Sequence, residues 1–228
     1  MLTASFFPFF IITFLVVVHE FGHLLLAKLF GGKILKVYIY PFGGISKVAI
    51  SYNISLFREF LILIAGPFFQ FLAMFILFYF FPNKEKMVLL YHYGILFFNL
   101  LPIYPLDGGK ILCLFFHRFL PYKRAYYFTF LLSYLCLLFI LYFYFVSLSF
   151  NLLFIFVFLT YKLIKEINQL EFTFHRFLME RYLRCFHFHK SKIVHSYNQF
   201  QRSYHHLIIS DGCYYTEKEY LEKNFKKC

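Results

Sequence analysis

Residues 16–30 read VVVHEFGHLLLAKLF, an aliphatic and aromatic run with His19, Glu20 and His23 set into its middle. A charged side chain at the centre of a bilayer opposes insertion by about 3 kcal/mol on translocon scales. Ionisable groups in such a place need a compensating interaction. His-Glu-Phe-Gly-His fits the pattern H-E-x-x-H, and on a helix residues four apart share one face, about 6 Å apart along the axis. His19 and His23 can then reach one tetrahedral zinc at Zn–N distances of about 2.0–2.1 Å. Glu20 projects beside them, and in this pattern the glutamate is the general base and not a ligand. Coordination resolves the cost, because neutral imidazoles facing a dication are not unpaired polar groups and the dication keeps Glu20 ionised. A metal-free hydrogen-bonded cluster is the duller alternative, and the apolar length around it weighs against it.

Composition agrees with a membrane setting. Of 228 residues, 61% are hydrophobic and 25% aromatic, with 38 Phe and 20 Tyr, while only 15% are charged; the mean hydropathy is +0.65. Soluble domains carry roughly 45–50% apolar residues, so the fold class expected is an all-α polytopic membrane protein. The net charge is +12, with Lys and Arg mostly outside the apolar runs. They form no continuous stripe, which argues against a nucleic-acid partner and for the lipid bilayer. Five cysteines, Cys113, Cys136, Cys185, Cys213 and Cys228, lack C-x-x-C spacing and read as reduced thiols. The first apolar run has no basic flank or small-residue cleavage site, so no cleavable signal peptide is expected.

Segments near the roughly 20 residues that span a bilayer lie at 6–30, 57–81, 88–106, 126–147 and 149–165, about five transmembrane helices. With the N-terminus outside, Lys33, Lys36, Lys47, Arg118, Lys123, Arg124 and the whole C-terminal tail share one side. The other keeps Lys84 and Lys86, offset by Glu85. The basic side is the cytoplasmic one, so an integral, multi-pass protein with a cytosolic tail is expected. VYIYPFGGISKVAISY, after the first helix, reads as a β-hairpin turning at Gly43-Gly44, with an edge to which an extended peptide can add. Domain organisation follows as a transmembrane part at 1–170, an amphipathic linker at 171–189 and a small α/β module at 190–228, the amphipathic stretch after the last span reading as a helix that continues from it or lies on the membrane surface. In that module HHLIIS, Asp211-Gly212 and CYYT read as strand, turn and strand, and Thr216 with Glu219 forms a capping box opening a helix.

A catalytic zinc needs a third protein ligand and an open position. The candidate is Asp107 in NLLPIYPLDGGK, residues 99–110. Alone, an Asp-Gly pair is more often an ordinary turn. Helix direction favours the metal, since 88–106 also descends toward the cytoplasm, and Pro102 and Pro105 interrupt it just before Asp107. Gln70, inside the second apolar run, reads as an interhelical hydrogen-bond partner, and Gly66-Pro67 as a close-packing kink. His187, His189, His205 and His206 lack ligand spacing and read as a solvated surface.

HEFGH on a membrane helix, followed by Asn99, Pro102, Asp107 and Gly108 in N-x-x-P-x-x-x-x-D-G, resembles the site-2 protease family of intramembrane zinc metalloproteases, peptidase family M50. PFGG at 41–44, AGP at 65–67 and RFLMERY at 176–182 narrow the likeness to the stage IV sporulation protein FB branch, over most of residues 10–182. The resemblance implies a zinc metalloendopeptidase with Zn2+ on His19, His23 and Asp107, and with Glu20 activating water. Asn99 and Pro102 would bear on substrate or the developing oxyanion, with Gly43 and Gly44 near the substrate strand. It also implies a membrane-associated sigma-factor precursor as substrate, in a bacterial cell or forespore membrane, under membrane inhibitory proteins. Branch members usually carry a further helix before the zinc-bearing one and a nucleotide-sensing CBS domain after it. Here the chain begins almost at the zinc helix, and 190–228 resembles an abbreviated CBS piece, so nucleotide sensing is not expected. Two rivals are a cleavage-dead homologue, which would be expected to have lost Glu20, and a membrane zinc carrier, which should offer ligands along several helices.

Overall fold

The computed structural model describes residues 2–40, 43–49, 51–184, 186, 188, 190–210 and 213–225. Seven α-helices and five strands are found among them: α1 (Leu2–Leu29), β1 (Lys33–Tyr40), β2 (Gly43–Ala49), α2 (Leu56–Phe80), α3 (Glu85–Asn99), α4 (Asp107–Phe119), α5 (Tyr122–Ser147), α6 (Phe150–Leu183), β3 (Ser191–Val194), β4 (His205–Ser210), β5 (Cys213–Thr216) and α7 (Glu217–Phe225). The chain divides into two compact units, one of residues 1–50 and 57–101, the other of 51–56 and 102–228.

In the first unit α1 ends in a glycine cap. Gly31 takes φ +83°, which a residue without Cβ adopts at no steric cost. Its N–H bonds Lys28 O at 3.0 Å while Gly32 N–H bonds Ala27 O at 2.8 Å, the paired bonds of a Schellman motif. The chain then reverses into β1 and β2, which pair antiparallel from Lys33 opposite Ala49 to Tyr40 opposite Gly43, with a register shift between Ile34 and Lys36. Gly43 and Gly44 are therefore rungs of β2 and not the turn expected of them. The last pair is Tyr40 opposite Gly43; Pro41 and Phe42 lie outside the described residues. Ile11 and Leu15 of α1, Ala73, Met74 and Leu77 of α2 and Val88 of α3 form the core of this unit.

In the second unit α5 and α6 carry a small sheet of order β3-β4-β5, with β3 parallel and β5 antiparallel to β4. Its core joins Tyr122, Phe174, Phe177, Leu178, Val194, Phe200, Ile208 and Leu221. The capping box is present: Thr216 N–H bonds Glu219 Oε2 at 2.9 Å and Glu219 N–H bonds Thr216 Oγ1 at 3.4 Å. Asp211 and Gly212, expected as the turn before it, are outside the described residues. Arg181, buried near the end of α6, ties the unit together. Its guanidinium donates to Asn53 Oδ1, Glu217 Oε1 and the carbonyls of Tyr204, Gln201 and Arg202 at 2.8–3.0 Å. Burial pulls its pKa down to about 10 against the opposing charge of Glu217.

Three helical stretches among the described residues are long and apolar enough to cross a membrane, Phe6–Leu29, Leu56–Phe80 and Tyr122–Ser147. The expectation of about five is not met on that criterion. The span read at 88–106 is the 15-residue α3, stopped ahead of Pro102 because a residue preceding proline is disfavoured in the helical region. The span read at 149–165 is the opening of a 34-residue helix, α6, whose later turns carry Lys162, Lys165, Glu166, Glu171 and Arg176. The stretch expected as a linker from 171 continues this helix to Leu183.

Candidate metal centre

The imidazole pair is built by α1 and α2. His19 is buried and His23 half-buried, one turn apart on α1, with ring centroids 4.8 Å apart and planes at 83°. Their Nε2 atoms face one another at 3.1 Å. The other nitrogen of each ring is taken by α2: His19 Nδ1 lies 2.9 Å from Gln70 Oε1, and His23 Nδ1 lies 2.8 Å from the carbonyl oxygen of Ile62. A carbonyl oxygen only accepts, so each Nδ1 carries the proton and each Nε2 presents its lone pair. Two lone pairs aimed at one point form the donor set of a cation, and Gln70 Oε1 and Ile62 O are the kind of acceptor that fixes the tautomer and ring orientation of a metal-bound histidine. Two ligands on a tetrahedral ion at 2.0–2.1 Å stand about 3.3 Å apart, close to the observed separation, so the pair fits zinc.

Two glycines make room for this arrangement. A Cβ on Gly22, within HEFGH, would lie 2.5 Å from Ala65 O and 3.0 Å from Phe69 Cβ, so the glycine lets α1 and α2 approach closely. A Cβ on Gly66 would overlap the edge of the His23 ring and lie 2.9 Å from His19 Nε2. Gly66, expected as a packing kink, is the floor beneath the imidazoles. Glu20 follows His19 on α1 and is half-buried.

Gln70 and His92 complete the first unit's polar cluster, both almost entirely inaccessible. The Gln70 amide donates to the carbonyl oxygen of His92 at 3.0 Å, and His92 Nδ1 is 3.4 Å from Gln70 Nε2. Sequence reasoning placed Gln70 in a helix contact and passed over His92. The signal for both is an amide and an imidazole inside apolar segments, where an unsatisfied polar group costs several kcal/mol. Asn99 is the last residue of α3.

In the second unit Asp107 is the first residue of α4 and is buried. The helix was not expected; its glycines explain it. A Cβ on Gly109 would lie 2.6 Å from Ile103 O, so only glycine lets the Pro102–Pro105 segment fold back on the first turn. Tyr104 N–H bonds Ser133 Oγ at 2.9 Å and Leu106 N–H bonds Ile103 O at 2.8 Å. The carboxylate stands at the positive end of the α4 dipole and accepts from Lys110 Nζ at 3.4 Å. Pro102 lies in the same segment, half-buried, while Gly43 and Gly44 sit in β2 of the first unit.

Residues 7–89 match the model of Peptidase family M50. The stretch takes in most of α1, the hairpin, α2 and the start of α3, and it is the part of the chain that carries the H-E-x-x-H motif. The chain is 40% identical over 117 residues to stage IV sporulation protein FB of Bacillus subtilis (strain 168), covering 49% of this chain and 41% of that one. It is 40% identical over 106 residues to a zinc metalloprotease of Methanocaldococcus jannaschii, covering 42% of this chain and 30% of that one. It thus spans less than half the length of either relative. Among solved structures, the site-2 protease from Methanocaldococcus jannaschii superposes with TM-score 0.58 at 26% identity, over 69% of this chain and 76% of that chain. The match to the M50 model and the three helices long and apolar enough to cross a membrane together support an integral membrane protein.

Proposed function

We propose that this chain is an intramembrane zinc metalloprotease in which His19, His23 and Asp107 hold the metal and Glu20 is the general base. The observation that carries the reading is the imidazole pair: both Nδ1 protons are committed to α2, both Nε2 lone pairs converge at 3.1 Å, and the setting is an apolar span. Asp107 is the ligand the N-x-x-P-x-x-x-x-D-G resemblance assigns, and its place on the first turn of α4 gives a carboxylate with a fixed backbone.

Zinc bound there would polarise the scissile carbonyl and lower the pKa of a water. The remaining chemistry falls to the chain. Glu20 removes a proton from the attacking water as its oxygen bonds to the carbonyl carbon, then delivers that proton to the amine nitrogen as the C–N bond breaks. Gln70 and Ile62 O hold the imidazoles in place throughout. Asn99 and Pro102 bear on the substrate, which must be extended because a helix hides its carbonyls, and β2 with Gly43 and Gly44 offers a strand to pair with it. The resemblance extends the proposal to a membrane-associated sigma-factor precursor and to membrane proteins that restrain the enzyme. In the same reading residues 1–170 form the membrane protease, 171–189 a linker and 190–228 a cytoplasmic module.

The test is Glu20→Gln, co-expressed with the precursor in membranes. The variant should keep its zinc and its fold while cleavage falls to background. Processing at the wild-type rate overturns the assignment of Glu20.

A further inference from the structure

We infer that Gln70 is a positioning residue that decides which ring nitrogen His19 offers to the metal, and that it links this ligand to α3. The inference rests on the metal-site reading above. Gln70 is fully inaccessible within α2, and an amide has one accepting and one donating end. Its Nε2 lies 3.0 Å from the carbonyl oxygen of His92. That carbonyl cannot donate, so the amino end must face it. The oxygen end is then fixed toward His19 Nδ1 at 2.9 Å, where it can only accept. His19 is held as the Nδ1–H tautomer, and its Nε2 lone pair points toward His23.

The two imidazoles are therefore secured by different means. His23 donates to a main-chain carbonyl, that of Ile62, which no side-chain substitution removes. The tautomer of His19 depends on one side chain, itself oriented by the backbone of a third helix. A shift of α3 relative to α2 would reach the metal ligand through the Gln70 amide before it reached His23. The His92 ring has a smaller part, since its Nδ1 is 3.4 Å from the amide, beyond a strong hydrogen bond.

The test uses the purified full-length chain in detergent, with zinc titrated against a chromophoric chelator and thermal unfolding of the metal-free protein recorded in parallel. Gln70→Leu should weaken zinc binding by about 10- to 100-fold, the usual cost of losing such a partner. Gln70→Glu should restore affinity to within about threefold, because a carboxyl oxygen at that position accepts from His19 Nδ1–H as the amide oxygen does. His92→Phe, which keeps that carbonyl, should also stay within about threefold. Nitrogen NMR of the metal-free wild type, which needs no variant to fold, should show His19 protonated at Nδ1. A wild type that binds no zinc would remove the metal-site reading itself. If the wild type binds zinc, the inference is overturned by Gln70→Leu binding equally well, by Gln70→Glu failing as Gln70→Leu does, or by an Nε2–H tautomer at His19.

Discussion

Replacing Gly66 with alanine adds one methyl group where the structure has none to spare. An ordinary contact for a Cβ is 3.4–4 Å, and the new atom would stand 2.9 Å from His19 Nε2 and closer still to the edge of the His23 ring. His19 must give by about half an ångström, and His23 by more, which at a Zn–N distance near 2.0–2.1 Å is enough to break a coordination bond. Retreat of His23 also lengthens its 2.8 Å bond to Ile62 O, at a cost of about 1 kcal/mol. Overpacking adds about 1–3 kcal/mol, while alanine in a helix returns about 1 kcal/mol over glycine. The metal-free protein should therefore lose only about 1–3 kcal/mol. Zinc affinity should fall at least 100-fold, or about 2.8 kcal/mol, in a chelator-competition titration. Gly94→Ala is the control, since a Cβ there meets nothing within 4 Å, and it should bind zinc normally. Wild-type zinc affinity in Gly66→Ala would refute the reasoning that this glycine makes room for the ligands.

Two further outcomes concern the second unit. His117 is buried with neither ring nitrogen hydrogen-bonded among the described residues, and burial, with the charge of Arg202, holds its pKa well below the usual histidine value. His117→Phe should keep the ring contacts to Tyr122 and Tyr126 and raise stability by about 1–2 kcal/mol in denaturant unfolding; a loss would contradict the orphaned state of the ring. Acid should weaken the same unit in two stages, read as the thermal midpoint against pH. His206 is lowered from 6.5 chiefly by burial, so its contribution is full above pH 6.5 and declines below it as the unfolded chain takes up the proton first. Burial alone would raise Glu217, but the His206 hydrogen bond and the Arg181 charge outweigh it and its pKa is lowered from 4.5. Its contribution persists above pH 4.5 and is lost as pH falls through the lower folded value; a midpoint unchanged from pH 7 to pH 3 would contradict both.

What could be read from the chain was whatever is local and periodic. The pairing of His19 with His23 follows from a four-residue spacing on a helix, and the Thr216–Glu219 box from a three-residue one. Hydropathy placed α1, α2 and α5 to within a few residues. It failed where helix ends depend on neighbours. Asp107 opens α4 because the Pro102–Pro105 segment folds onto Gly109, a contact no windowed average contains. The stretch after residue 165 was legible as amphipathic and helical, and the fold decides between its two readings, since it continues α6 to Leu183 and is not a separate helix on the membrane surface. Arg181 entered the reading only as part of RFLMERY, and only the folded second unit shows five acceptors gathered around it. Gln70 was legible as a polar residue needing a partner, but that partner lay 51 residues away on another helix.

The central claim is one zinc held by His19, His23 and Asp107, and zinc-edge X-ray absorption of the purified wild type and Asp107→Asn tests it most directly. The account predicts two imidazole shells and one oxygen ligand from protein in the wild type, with weaker zinc retention and altered oxygen scattering in the variant. Absence of paired imidazole scattering, or an identical zinc environment after Asp107→Asn, would contradict it.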